Sequence, residues 1–161
     1  MSEQKWLYDY FKDAAAETGS CRVSLAEYVR PFIERGEEIT VSGHGTSMLP
    51  TIRDTDRLVV APLPESIRTG DVLMYVRPDG HTVIHRVWRV HDGRFDMLGD
   101  YQLLIERNVP HAAVVALVKT VIHPDGRTSP GHQRVFRARV RRACRFAHAL
   151  PRILYHRVFR R

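Results

Sequence analysis

Two side chains of this sequence, the Ser47 hydroxyl and the His85 imidazole, are of the types that can act as a nucleophile and as a base. Ser47 lies in a stretch rich in turn residues that begins at Gly45, and His85 lies inside a run of β-branched residues. A serine hydroxyl attacks poorly at neutral pH unless a base accepts its proton, and imidazole is suited to that task. Alternation along a strand puts Val83, His85 and Val87 on one face, an apolar setting that favours the neutral imidazole.

Other histidines are weaker candidates for chemistry. His44 stands three residues before Ser47 and is an alternative base, although a solvated loop histidine is the simpler interpretation. His81 and His85 are four residues apart, but on a strand they lie about 13 Å from each other, too far to share a metal ion. We therefore predict neither a metal site nor a cofactor. The purely structural alternative is that His85 packs in a core and Ser47 occupies a turn.

The residues around this pair predict a mainly antiparallel β domain. Short β-branched runs alternate with turn residues, and the tight-turn sequences at 78–80 and 91–94 predict successive hairpins. The predicted strands are Ile39–Val41, Leu58–Val60, Val72–Val76, Thr82–Val90, Phe95–Leu98 and Val114–Ile122.

Helical segments are expected on both sides of the β domain. A capping-box pattern that begins at Ser24 opens a short helix, which Gly36 is suited to close. In the tail, apolar residues spaced three or four apart predict a basic amphipathic helix. We therefore divide the chain into an N-terminal helical segment (1–37), a β domain (38–125) and an Arg-rich helical tail (126–161).

The formal charge of +7 is unevenly distributed along the chain. Residues 133–161 contain ten Arg and no acid, whereas residues 1–132 contain 15 Lys and Arg against 18 acids. A polyanion would therefore meet only the tail, and we do not expect a nucleic-acid partner. The tail is compatible with peripheral contact to an anionic membrane, and a helix docked on the β domain is the alternative.

Cysteine usage and hydropathy indicate the compartment. Cys21 and Cys144 are the only cysteines, and no zinc-type spacing occurs. The sequence contains no apolar run long enough to span a membrane and no secretory signal pattern at its start. We expect a cytoplasmic protein that contacts a membrane at most at its periphery.

Five short motifs in a fixed order carry a family resemblance. They are Gly45–Ile52, Asp56–Val60, Gly70–Tyr75, Ile84–Val87 and Leu98–Asp100. In order and spacing these motifs resemble the conserved boxes of signal peptidase I and of the LexA-type serine peptidases, over roughly residues 38–122. The resemblance implies a signal peptidase/LexA-like antiparallel β catalytic domain and a serine endopeptidase with Ser47 as nucleophile.

Many members of this superfamily use a lysine as the base. The three lysines here, Lys5, Lys12 and Lys119, do not stand where such a dyad requires one. His85 stands there, before an Arg-Val pair, as in the endoplasmic-reticulum and archaeal-like signal peptidases. The resemblance therefore implies a Ser–His pair.

The same relatives place acids at the last Gly-Asp motif and six residues later, which are Asp100 and Glu106 here. Glu106 replaces the Asp that is usual there, so the resemblance leaves both acids as candidates to orient His85. A Gly-Asp turn gives Asp100 a structural explanation, whereas Glu106 follows three apolar residues, where an acid gains little unless it is paired. We predict that Glu106, more than Asp100, orients His85.

The loop around Ser47 would bind the oxyanion of the reaction. The backbone N–H of Ser47 is the natural donor in a loop opened by glycines. Gly45, Thr46 and Met48 are the further candidates for oxyanion and substrate contacts. Gly45 stands where many signal peptidases have a serine that supplements the oxyanion hole.

Three functions are consistent with these residues. The first is a Ser–His endopeptidase that cleaves a peptide or leader, with small residues before the scissile bond as the resemblance implies. The second is a LexA-like regulator that cleaves itself, although the chain has neither an Ala-Gly nor a Cys-Gly dipeptide. The third is a catalytically inactive peptide-binding module, which the presence of Glu106 leaves open.

Overall fold

A computed structural model of the protein describes residues 24–133 and Val140. Residues 24–133 contain one α-helix and eight strands that pair in antiparallel fashion, with a 3-10 turn at His111–Ala113. The elements are α1 (Leu25–Glu34), β1 (Ile39–Ser42), β2 (Arg57–Ala61), β3 (Val72–Val76), β4 (Thr82–His91), β5 (Arg94–Leu98), β6 (Glu106–Pro110), β7 (Val114–Ile122) and β8 (Thr128–Pro130). The predicted mainly β fold is confirmed. The predicted tail helix lies outside the described residues.

The helix α1 begins and ends as its sequence predicts. The Ser24 hydroxyl accepts the backbone N–H of Glu27, and the Glu27 carboxylate accepts the N–H of Ser24, so two otherwise unpaired N–H groups are satisfied. Gly36 ends the helix with a φ of 78°, in the left-handed region that favours glycine. Ala26 and Val29 pack against the sheet. Within the described part of the chain, no helix has the length and apolar character needed to cross a bilayer.

The strands form one sheet around β7. The strand order is β1-β2-β7-β3-β4-β5-β6, and β8 also pairs with β7. One edge of β7 pairs with β2, while its other edge pairs with β3 along the first half and with β8 along the second half. The sheet is therefore continuous from β1 to β6 through β7.

The strand β3 is buried on both faces. Val72, Met74 and Val76 pack in one apolar cluster with α1, β1, β2 and β7, whereas Leu73 and Tyr75 pack in a second cluster with β4, β5 and β6. A strand covered on both faces needs an almost continuous apolar run, and the sequence of β3 provides it. The second cluster lies on the face that carries the candidate site.

The sheet curls strongly between β3 and β6. In a flat sheet, three strand spacings would separate these two strands by about 14 Å. The hydroxyl of Tyr75 on β3 nevertheless lies 2.9 Å from the carboxylate of Glu106 on β6. Register shifts in the β4–β5 and β5–β6 pairings supply local bends. The concave face therefore gathers side chains from β3, β4 and β6.

Two strands, β6 and β8, have no counterpart in the sequence prediction. β6 exposes or half-exposes four of its five residues, and β8 is three residues long, so neither carries the apolar pattern of a central strand. β8 also lies in the segment assigned to the tail. The backbone N–H of Gly131 donates to Lys119, and that of Gln133 donates to Gly70. The sheet and the backbone packed on it therefore extend past the predicted boundary at residue 125.

Candidate active site

Ser47 and His85 line the same open groove, which has a volume of about 770 Å³. Ser47 comes from the loop between β1 and β2, and His85 from the middle of β4. The apolar side chains of Met48, Leu58 and Val83 also line the groove. Its volume falls within the range of ordinary ligand-binding clefts.

The loop that carries Ser47 is held from two sides. Met48 and Ile52 are buried in the apolar core, which anchors the loop beneath Ser47. The carbonyl of Ser47 accepts the N–H of Tyr101 at 2.8 Å. A Cβ on Gly99 would lie 2.6 Å from that carbonyl oxygen, so the close approach requires glycine. The last Gly-Asp motif therefore packs directly on the nucleophile loop.

Gly45 and Thr46 lead into Ser47. Gly45 has a φ of 96°, and nothing lies within 4 Å of where its Cβ would be, so the backbone conformation and not the space requires glycine there. Gly45, Ser47 and Met48 line the groove. Thr46 is exposed, and its carbonyl accepts the N–H of Leu49 at 3.2 Å.

The sheet register places His85 beside Tyr75. Leu73 pairs with His85 and Tyr75 pairs with Val83, so the side chains of these four residues lie on one face. The His85 side chain is 1% exposed. Its Nδ1 atom lies 3.0 Å from the Tyr75 hydroxyl oxygen and 3.2 Å from Oε1 of Glu106.

The Glu106 carboxylate is surrounded by donors. Its Oε2 atom accepts the Tyr75 hydroxyl and the Nε–H of Arg77, each at 2.9 Å, and its Oε1 atom accepts a second Arg77 N–H. Burial alone would raise the pKa of Glu106, but the hydrogen bonds from His85, Arg77 and Tyr75 outweigh burial and hold that pKa well below its usual range. Glu106 is therefore ionised at neutral pH and can only accept hydrogen bonds.

These hydrogen bonds define one tautomer of His85. Tyr75 donates its single hydroxyl proton to Glu106, so the Tyr75 oxygen is left to accept from Nδ1 of His85. Nδ1 then carries the ring hydrogen, and Nε2 is the acceptor of the neutral imidazole. A neutral imidazole with Nε2 as acceptor, in a groove shared with a serine, is the arrangement that a general base requires.

Asp100 has a different set of partners. Its buried carboxylate accepts two hydrogen bonds from Arg86, at 2.9 and 2.8 Å, and one from the Thr51 hydroxyl at 2.5 Å. Arg86 also donates to the carbonyls of Gly70 and Gly131. Asp100 therefore connects the residue that follows His85 to the loop that carries Ser47.

The alternative bases lie in different surroundings. His44 lines the groove at an exposed position. Lys119 is also exposed, and its Nζ donates to Glu38 at 2.5 Å. Within residues 24–133, no three His, Cys, Asp or Glu side chains are grouped in a way that could hold a metal ion.

Tyr75 and Arg77 are functional candidates that sequence reasoning did not identify. Both follow Leu73 at two-residue spacing, which places polar groups on one face of an otherwise apolar strand. This two-residue spacing of polar side chains is the sequence signal that could have identified Tyr75 and Arg77. Their contact with Glu106 depends on the curl between β3 and β6, and no local sequence pattern reports that curl.

Comparison with known families gives a match that covers most of the chain. The model of the Peptidase S24-like family matches residues 11–121, which include Ser47, His85 and Glu106. The chain therefore belongs to the Peptidase S24-like family, within the LexA and signal peptidase superfamily. The resemblance drawn from the five motifs is confirmed at that level. No curated protein and no solved structure matches the chain.

Asp100→Asn is expected to destabilise the fold. Asparagine keeps the shape of the side chain but removes the charge that balances the buried Arg86, and breaking such a buried pair costs on the order of 3 kcal/mol or more. Urea denaturation at neutral pH measures this change in the free energy of unfolding. Glu37→Gln, which breaks an exposed ion pair with Arg35, is the control and should have little effect. Equal effects of the two substitutions would contradict a structural role of Asp100.

The lowered pKa of Glu106 predicts that part of the free energy of unfolding is lost in acid. In the unfolded chain a Glu carboxyl titrates near pH 4.3, so below that pH the unfolded state takes up this proton before the folded state does. Glu106 therefore stabilises the fold fully above about pH 4.3 and loses that contribution as the pH falls through its folded pKa. The difference in unfolding free energy between the native protein and Glu106→Gln should shrink from about pH 6 to about pH 3. A constant difference would argue against the hydrogen-bonded carboxylate.

Proposed function

We propose that the protein is a serine endopeptidase in which Ser47 attacks a peptide carbonyl and His85 accepts the proton of its hydroxyl. The observation that supports this most directly is the hydrogen bonding at Nδ1 of His85, which leaves Nε2 as the acceptor of a residue that lines the same groove as Ser47. Membership of the Peptidase S24-like family supports serine peptidase chemistry.

In the proposed reaction, Oγ of Ser47 adds to the scissile carbonyl while Nε2 of His85 takes the hydroxyl proton. The resulting imidazolium keeps its Nδ1–H directed at Tyr75 and Glu106, and the ionised carboxylate stabilises the positive charge. Nε2 then gives the proton to the leaving amine. A water molecule, deprotonated by the same nitrogen, attacks the acyl-Ser47 ester; the bond from the acyl carbon to Oγ breaks, Nε2 returns the proton to Oγ, and the second product leaves.

We propose a Ser–His pair of the endoplasmic-reticulum and archaeal type, with Glu106 as the orienting acid. The 3.2 Å contact between Glu106 and His85 supports this assignment. The pairing of Asp100 with Arg86 and Thr51 supports a structural role for Asp100. The ion pair of Lys119 with Glu38 argues against lysine as the base.

The proposed substrate is an extended peptide or leader, cleaved in the cytoplasm. The apolar side chains that line the groove, among them Met48, Leu58 and Val83, suit small or apolar substrate residues. Gly45, at the entry to the nucleophile loop, leaves room for the substrate backbone to approach Ser47.

One observation favours a second candidate function, cleavage of the protein's own N-terminal segment. Ser24 and Leu25, where α1 begins, line the groove that contains Ser47. The chain before Ser24 is therefore covalently attached at the groove itself. Such an attachment suits a LexA-like protein that cleaves itself.

Ser47→Ala and His85→Ala are each expected to reduce cleavage by about 10³-fold or more, because each removes one half of the nucleophile–base pair. A degenerate peptide library read by mass spectrometry measures cleavage of added peptides. The intact mass of the protein measures self-cleavage. Ser66→Ala and His111→Ala, at exposed positions, are the matched controls and should retain activity.

A fluorophosphonate probe tests the nucleophile in the same preparations. The adduct is expected on the tryptic peptide that contains Ser47, and Ser47→Ala should not be labelled. Cleavage at nearly the native rate by Ser47→Ala or by His85→Ala would contradict the proposed mechanism. Binding of library peptides without any cleavage would instead identify an inactive peptide-binding module.

We also propose that the tail contacts anionic membranes. This proposal rests on the ten Arg and no acid of residues 133–161, most of which lie outside the described residues. Each Arg near an anionic surface contributes about 1 kcal/mol of binding. The protein should float with phosphatidylserine vesicles at low salt and dissociate at high salt, and deletion of residues 134–161 should abolish binding. Salt-independent flotation, or binding that survives the deletion, would contradict the proposal.

A further inference from the structure

We propose that Tyr75 is a positioning residue of the Ser47–His85 reaction, which holds the ring hydrogen of His85 on Nδ1. This inference rests on the proposed function and extends it from a Ser–His–Glu arrangement to one in which a phenol stands between the base and the acid. Three observations support it. The Tyr75 oxygen lies closer to Nδ1 than Glu106 does, the Tyr75 hydroxyl donates to Glu106, and Arg77 also binds Glu106.

The Tyr75 oxygen is the nearer of the two acceptors at Nδ1. It lies 3.0 Å from that nitrogen, compared with 3.2 Å for Oε1 of Glu106. The rings of Tyr75 and His85 also meet edge to face, with centroids 6.0 Å apart. Both side chains are buried, so neither ring has room to leave this contact without repacking.

The direction of the hydrogen bonds follows from counting hydrogens. The hydroxyl of Tyr75 has one hydrogen, and Glu106 accepts it at 2.9 Å. If Tyr75 donated to Nδ1 instead, the ring hydrogen would lie on Nε2, and the lone pair of Nδ1 would face the carboxylate oxygen at 3.2 Å. Two acceptors in contact repel each other, so the arrangement favours the Nδ1–H tautomer.

Glu106 is not available to His85 alone. Arg77 donates to both of its carboxylate oxygens, which takes up acceptor sites and offsets part of the negative charge. A carboxylate held by Arg77 cannot follow small movements of the imidazole. The phenol of Tyr75 therefore provides the shorter contact, while Glu106 fixes the phenol by accepting its proton.

Tyr75 keeps that proton throughout the working pH range. Its burial, followed by the negative charge of the neighbouring Glu106, raises the pKa of Tyr75 far above its usual range. The phenol is therefore always a donor to Glu106, and its oxygen is always an acceptor for His85.

The first test compares Tyr75→Phe with Tyr28→Phe. Phenylalanine keeps the buried ring of Tyr75 and removes only the hydroxyl, and Tyr28 is an exposed tyrosine of α1. We expect Tyr75→Phe to lower kcat by about 10- to 100-fold, the effect of one hydrogen bond to a charged group, with KM almost unchanged. Tyr28→Phe should retain the native kcat. A native kcat in Tyr75→Phe would overturn the proposal.

The second test does not require activity. The ¹⁵N chemical shifts of the His85 imidazole distinguish a protonated from an unprotonated ring nitrogen, so they report the tautomer. We expect a protonated Nδ1 and an unprotonated Nε2 in the native protein, and shifts that converge in Tyr75→Phe as the tautomers mix. A native Nε2–H tautomer, or identical shifts in the two proteins, would overturn the role of Tyr75.

The two tests separate this inference from the proposed function. A native protein with the Nδ1–H tautomer, sensitive to Tyr75→Phe, but without Ser47-dependent cleavage would support the positioning contact and remove the peptidase proposal. Ser47-dependent cleavage at equal rates in the native protein and in Tyr75→Phe would support the peptidase proposal and overturn the role of Tyr75. If Tyr75→Phe does not fold, an Nε2–H tautomer in the native protein would still overturn the proposal.

Discussion

The buried ion pair between Arg86 and Asp100 is the interaction on which the geometry of the site depends. Arg86 is 2% exposed and donates to both oxygens of Asp100 and to the carbonyls of Gly70 and Gly131. These acceptors lie before β3, after β5 and after β8, and Asp100 adds Thr51 of the nucleophile loop. Burial makes each of these groups costly to leave unpaired. The pair therefore fixes β4 relative to the loop that carries Ser47.

His85 and Arg86 lie on opposite faces of β4, where His85 is the proposed base and Arg86 stabilises the fold. Consecutive strand residues project to opposite faces, so the residue that holds the fold together is the direct neighbour of the residue proposed as base. Each face has an acid paired with an arginine. Asp100 is fully buried with Arg86, whereas Glu106 is partly exposed, is shared by Arg77, Tyr75 and His85, and stays charged because three donors stabilise it. Only the second arrangement presents an acid to the imidazole.

Sequence reasoning identified the parts of the site that lie in continuous motifs. Ser47, His85 and Asp100 stand at motif positions, Glu106 follows Asp100 by six residues, and alternation along β4 gave the face of His85. Asp100 lies in a turn as expected, with the Gln102 N–H bonded to the Gly99 carbonyl, and it also pairs with the buried Arg86. Tyr75 could not be assigned, because its contact with Glu106 requires the register of four strands and the curl of the sheet. Those are properties of long-range packing, and a local pattern of apolar residues does not contain them.

The curl also explains how Glu106 reaches His85 at a position where the resemblance to signal peptidases implies an aspartate. β5 lies between β4 and β6, so a side chain on β6 must reach across two strand spacings, about 10 Å in a flat sheet, to meet His85. The bends in the β4–β5 and β5–β6 pairings shorten this distance, and the additional methylene of Glu106 covers part of what remains. Tyr75 enters from β3 on the other side of His85, and its hydroxyl adds a second contact at Nδ1 beside the direct contact of Glu106. The glutamate and the phenol therefore support each other: Glu106 accepts the Tyr75 proton, and the Tyr75 oxygen shares Nδ1 of His85 with the Glu106 carboxylate.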